Sequence, residues 1–205
     1  MGAPHPIQKP MPPRIARLAR DDRGYPIPWN VLRAADGTPF FTVNDDRKHW
    51  AALRGCLCPI CGERLGQWKW FVGGPRSAFD PNGWYLDLHG HRECVGLALQ
   101  TCPYLAAPKY LGRIDIADPS KLAGLAPILL DETQIPERPD GFVAVASSKV
   151  VTQRRDPLLP YVRPIKPLLE VQYWRFGKLL TDGEGEQIVR AVMGEDWQPP
   201  LGVVW

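Results

Sequence analysis

Regular patterning along this chain comes in short bursts separated by proline and glycine. Trp29–Arg33 and Phe40–Val43 flank the turn Asp36-Gly37-Thr38-Pro39 and predict a hairpin. Asn44 then offers an N-cap to a helix over Asp45–Arg54, with Gly55 as its stop and Trp50, Leu53 and His49 turned towards a core. Gln67–Val72 and Trp84–Leu88 read as strands with Gly73-Gly74-Pro75 and Pro81-Asn82-Gly83 as turns between them. They predict a second hairpin, with Trp68 and Trp70 on one side of its first strand. A helix follows from about His91 to Cys102, then one helical turn within Pro103–Leu111.

Beyond position 111 the signal is weaker. Residues 112–141 are poorly periodic, with Asp118-Pro119-Ser120 as a helix start, and Phe142–Ala146 alternates as a strand. Four prolines among basic residues make 152–167 an expected exposed loop. Leu168–Phe176 is a strand by alternation, and a last helix is expected over Glu184–Met193, ended by Gly194. The fold class is α+β and loop-rich. The division expected is a disordered proline-rich arm (1–13), a metal-binding α+β domain (14–111), and a C-terminal α+β extension packed on it (112–205).

Charge alters this picture little. The chain of 205 residues has a net charge of +3, too small for a dedicated polyanion binder. It is split as +5 over residues 1–110 and −2 over the remainder. No apolar run approaches the roughly 18 residues of a membrane span, and the N-terminal residues lack the apolar core of a secretory signal. A cytoplasmic, reducing setting is expected, in which clustered cysteines bind metal more often than they form disulfides.

Cysteines change the picture most. Cys58-Pro59-Ile60-Cys61-Gly62 has the form of a zinc knuckle: two intervening residues let a tight turn aim both thiolates at one point, and Gly62 supplies the positive φ such a turn needs. His91 and Cys94, at i and i+3 in the first turn of a helix, share one face. The expected set is Cys58, Cys61, His91 and Cys94, with His89 as the alternative third ligand. Cys102 lies about 12 Å further along the helix at ~1.5 Å per residue and is assigned to the core. Cys56 points away from Cys58 in an extended chain. Four protein ligands close a tetrahedral Zn2+ site, so the metal is expected to be structural.

Knuckle, hairpin and ligating helix together resemble the treble-clef zinc fold over about residues 56–102. That fold implies a scaffold and no single activity. Asp87-Leu88-His89 superficially resembles the start of a His-Asn-His nuclease motif, but no later Asn and His pair follows. No Gly-rich phosphate loop, Gly-x-Ser-x-Gly elbow or paired-carboxylate constellation occurs elsewhere, so binding is expected over catalysis. The order Cys-x-x-Cys-Gly, His-x-x-Cys, Cys-Pro-Tyr-Leu is similar to small uncharacterised zinc-binding proteins of bacteriophages and prophages, from Arg14 to about Tyr110. This resemblance implies an accessory role in infection.

Two partner classes follow. Arg14 and Arg17 of the Arg14–Arg23 run, with Lys69 between two tryptophans and Arg76, combine phosphate contacts with aromatic stacking and suggest nucleic acid or a nucleoprotein. The proline-rich arm and eight tryptophans suggest instead an adaptor or inhibitor docking on a host protein.

Overall fold

The computed structural model describes residues 11–107, 138–154 and 160–200. Its mixed α+β architecture is held by an antiparallel sheet of four strands in the order β3 (Lys69–Gly73), β4 (Phe142–Ser147), β7 (Glu170–Arg175) and β8 (Lys178–Leu179). β4 is buried along its whole length because both faces of the sheet are covered. Alternation sorts its neighbours. Phe71, Val143, Val145, Val171 and Tyr173 lie in one core with Ala78, Phe79, Tyr85 and Val189. Trp70, Phe142, Ala144, Ala146 and Trp174 lie in another with Val95 and Leu99.

Helix α4 (Arg92–Thr101) supplies Val95 and Leu99 to the second core. Arg92 pins it there, donating to Glu170 at 2.6 Å and lying over the Trp70 ring at 5.4 Å. Helix α6 (Asp182–Met193) covers the first core, opened by a capping box between Thr181 and Glu184. A Cβ at position 185 would stand 2.0 Å from Tyr173 Cγ, so only glycine lets α6 lie on that ring. A two-stranded sheet of β1 (Val31–Arg33) and β2 (Pro39–Asn44) precedes α2 (Asp46–Gly55), as expected near the N-terminus. Asp45 rather than Asn44 is the N-cap, accepting from the Lys48 N–H, and the helix runs through Gly55 to a left-handed Cys56 at φ 52°.

Three expectations are corrected. The second hairpin does not form. Pro75, at the first position of a helix, opens α3 (Pro75–Phe79) directly after β3, and the segment after it makes single bridges, Tyr85 to Val162 and Gly90 to Trp70. β3 pairs instead along five residues with β4, an apolar strand that buries both its faces. The 152–167 stretch is also not a plain exposed loop. β5 (Val150–Arg154) pairs with β6 (Pro160–Pro164), and Val162 of β6 is fully buried. Its prolines stand at the two ends of β6, where the ladder tolerates a missing N–H. Third, Trp68 and Trp70 do not share a side: Trp70 is 2% exposed and Trp68 49%. β3 begins at Lys69, so alternation does not reach Trp68.

The final helix starts two residues earlier than expected, and the turn after α4 is α5 (Pro103–Ala106). Residues 11–13 of the expected arm belong to the fold, with Met11 against the cysteine-rich core and Pro13 opening α1 (Pro13–Ala16). The Asp118 helix start lies outside the described residues. Among the described residues no helix is long and apolar enough to cross a membrane.

Candidate metal centre

The site begins where α2 ends. Cys56 turns the chain in its left-handed conformation, and Leu57 bridges to Arg64 to close a tight loop. Inside it the Cys58 N–H donates to the Glu63 carbonyl and the Gly62 N–H to the Cys58 carbonyl, both at 2.8 Å. Gly62 stands at φ +77°, and any Cβ there would meet the Trp29 ring at 2.8 Å. Glycine is therefore required twice over, by backbone conformation and by space. The knuckle is held from outside by the Trp29 and Asn30 N–H groups, which donate to the carbonyls of Ile60 and Pro59.

The other two donors come from the start of α4. His91 is its N-cap residue and Cys94 lies in its first turn. Cys58 Sγ, Cys61 Sγ, Cys94 Sγ and a His91 ring nitrogen lie within 4.8 Å of one another. His91 Nδ1 is 3.4 Å from Cys61 Sγ and 3.9 Å from Cys94 Sγ. Tetrahedral zinc with bonds of ~2.0 Å to nitrogen and ~2.3 Å to sulfur sets N–S edges at about 3.5 Å and S–S edges at about 3.8 Å, so the donor set fits that ion. His91 Nε2 is 3.1 Å from the Arg64 carbonyl. Nε2–H donating there leaves the Nδ1 lone pair facing the sulfurs, the arrangement that orients a metal-binding imidazole.

The sulfurs are crowded as well as buried. Cys58 and Cys94 are fully buried and Cys61 is 4% exposed. The Cys58 thiol is drawn down to about 3, chiefly by hydrogen bonding from Cys61 and then from Cys94, with the N–H groups of Cys61 and His91 adding to it. The same sharing with Cys58 and Cys61, together with burial, pushes the Cys94 thiol up. Cys58 and Cys94 are thus pushed in opposite directions, and metal ligation requires cysteine as the thiolate.

A lid of side chains closes the site. Ile15 of α1 is 1% exposed and packs with Cys58, Cys61, Cys94, Leu65 and Leu97. Arg14 Nε reaches Glu63 of the knuckle at 3.4 Å and Glu93 of α4 at 3.0 Å, and Arg17 pairs with Glu63. The two halves of the site are thus joined across the first helix. Ile15 and Leu18 stand three apart among the arginines, an apolar pattern too short to predict this role.

The remaining candidates fall elsewhere. His89 stands apart from the four donors, its ring 5.2 Å from that of Phe71. Burial, and then the charge of Lys69, draws its pKa down to about 4, so it is neutral near pH 7. Cys102 is only partly buried at the end of α4, a correction to its assignment as a core thiol. Lys69 Nζ donates to the carbonyls of Gln67 (3.2 Å), Ser148 (3.4 Å) and Gly66 (3.5 Å). Arg76 is exposed on α3. His49 was expected on the core side of α2 and is 2% exposed; neither of its ring nitrogens has a hydrogen-bond partner among the described residues.

No protein-family model, curated protein or solved structure matches the chain. Its functional reading rests on this site and on the surface around it. The cluster of Cys58, Cys61, His91 and Cys94 can hold a metal ion such as zinc.

Proposed function

We propose that this chain is a zinc-stabilised binding protein in which the metal is structural and the partner is nucleic acid. The observation that carries the reading is the closure of the donor set: four protein ligands within 4.8 Å, its sulfurs buried beneath Ile15. Such a site has no position for a substrate or a reactive water, and zinc bound there holds knuckle to helix. The treble-clef reading is supported by the knuckle and by the helix that carries Cys94; between them stand β3, α3 and an irregular return in place of a hairpin.

Nucleic acid is favoured by Trp68, an exposed indole on the loop that leaves the knuckle, with basic loops beside it. The contact is not the one expected from the arginine run, since Arg14 and Arg17 are paired with Glu63 and Glu93, and Lys69 with backbone carbonyls. A second reading, an adaptor or inhibitor that docks on a host protein as the phage resemblance implies, is favoured by another exposed group. There Tyr104 and Phe176 flank Arg138, and Leu179 stands exposed at the sheet edge.

Elemental analysis of the purified full chain tests the first step. About one zinc per chain is expected, falling to none in Cys58→Ser; a metal-free, fully folded wild type would overturn it. Retention on immobilised single-stranded DNA at low salt tests the second step. Its absence, with a stoichiometric protein captured instead, would favour the adaptor.

A further inference from the structure

Three loops meet at the end of the main sheet next to the metal centre: 66–68 ahead of β3, 147–149 between β4 and β5, and 165–167 after β6. Two polar hubs pin them. Lys69 Nζ donates to the carbonyls of Gly66, Gln67 and Ser148, and so ties the first loop to the second. Ser147, 1% exposed, has its hydroxyl within hydrogen-bonding distance of the carbonyls of Lys149 (2.9 Å) and Ile165 (2.8 Å), which share its single proton, and the Ile165 N–H donates to the Lys149 carbonyl at 3.0 Å, tying the second to the third.

On this pinned base stand side chains that the fold does not use. Trp68 is 49% exposed and Ile165 38%. Lys149 and Lys166 are exposed and form no ion pair among the described residues. Residues 66–69, 147–151 and 164–168 contain no Asp or Glu. An exposed indole with cations that form no ion pair among the described residues, on loops that themselves carry no acid, is complementary to a chain of phosphates carrying stackable bases.

We propose that Trp68, Lys149, Ile165 and Lys166 form a binding face for single-stranded nucleic acid, with Trp68 stacking on a base and the lysines contacting flanking phosphates. This rests on the proposed nucleic-acid function and gives it a location. An acidic peptide or an anionic lipid surface could use the same cations, but neither offers the indole a planar partner. The metal centre bears on the face directly. His91 donates to the Arg64 carbonyl, four residues before Trp68, so the ligating histidine anchors the loop that carries the indole.

The test is fluorescence anisotropy of the zinc-loaded full chain with a labelled oligothymidylate of about 15 nucleotides, long enough for a typical single-strand site. Wild type binds at about 50 mM salt and weakens markedly by about 200 mM. Trp68→Ala weakens binding roughly 5- to 100-fold, and Trp68→Phe, which keeps a stacking ring, restores most of it. Lys149→Gln with Lys166→Gln weakens binding and lowers the salt slope by about 1.4, the value for two phosphate contacts on a single strand. Zinc content and melting temperature unchanged in these surface variants exclude misfolding.

If wild type binds and all three variants match it, the face is wrong while the nucleic-acid reading stands. If zinc-loaded wild type does not bind at low salt, both fall. If the same variants instead abolish binding to a poly-glutamate peptide or to phosphatidylserine vesicles while oligonucleotide binding is unaffected, the face is real and its assigned occupant is overturned.

Discussion

The protein has two kinds of core, and they hold together differently. Around the sheet, Phe71, Val143, Val145, Val171, Tyr173 and Val189 bury large side chains with no need of anything but apolar contact. Around the knuckle, the buried apolar side chains other than cysteine are few: Ile15, Leu65 and Leu97. Three cysteine sulfurs, Cys58, Cys61 and Cys94, sit buried among them. In a region with so little apolar area, the proposed zinc would supply through coordination bonds what the other core draws from buried area, the usual logic of small zinc-organised units. The proposed binding face lies between the two, on loops leaving both.

This contrast can be broken experimentally. The largest effect is expected from the ligands. Zinc in small peptides contributes an apparent ~10–16 kcal/mol to folding, so Cys58→Ser or a strong chelator should unfold the knuckle region outright. Hydrogen exchange should show residues 11–18, 56–66 and 91–101 losing protection while β4 and β7 keep theirs. Equal loss in both would show that the two cores are one cooperative unit. Next is Phe71→Ala, expected to lower global stability by about 3–5 kcal/mol in denaturant titration while zinc content stays at the wild-type level.

A smaller effect is expected from His49. Burial depresses its pKa, with Asp87 first and then Asp46 opposing. A histidine whose folded pKa lies below 6.5 stays neutral in the fold while the unfolded chain takes up a proton. Its effect on stability is therefore absent above about pH 6.5 and destabilising as the pH falls below it. His49→Leu should melt close to wild type at pH 8 and progressively above it below pH 6.5; protonation of the metal ligands is common to both proteins and cancels. Parallel melting curves across that range would contradict the assignment. The smallest effect is Arg14→Ala. Its ion pairs are partly exposed and contribute roughly 0.2–1 kcal/mol each, so the melting temperature should barely move. Zinc transfer to a chromophoric chelator should nevertheless be faster, because the segment carrying Ile15 is held less firmly. An unchanged transfer rate would deny Arg14 that role.

Local chemistry in the sequence pointed to three donors and narrowed the fourth. A tight Cys-x-x-Cys turn and a helix start carrying Cys94 obey short-range geometry, so Cys58, Cys61 and Cys94 could be named from spacing, with His91 or His89 as the remaining ligand. The same holds for the β1–β2 hairpin, α2, β4, β7 and α6, each marked by its own caps, turns or alternation. The choice of His91 over His89 required the fold, because both precede Cys94 at workable distances and only the folded chain sets His91 among the sulfurs and His89 beside Phe71.

Pairing was invisible for the same reason. Trp84–Leu88 reads as a strand in sequence, yet β3 pairs with β4, more than sixty residues away and buried along its whole length, and no local signal marks that partner. Arg14 and Arg17 read as a free cationic run until Glu63 and Glu93 were brought beside them. That the loops carrying Trp68, Lys149 and Ile165 are neighbours belongs to tertiary structure: β5–β6 pairing and the Ile165 N–H to Lys149 bond join the last two, and Lys69 ties the loop of Trp68 to Ser148.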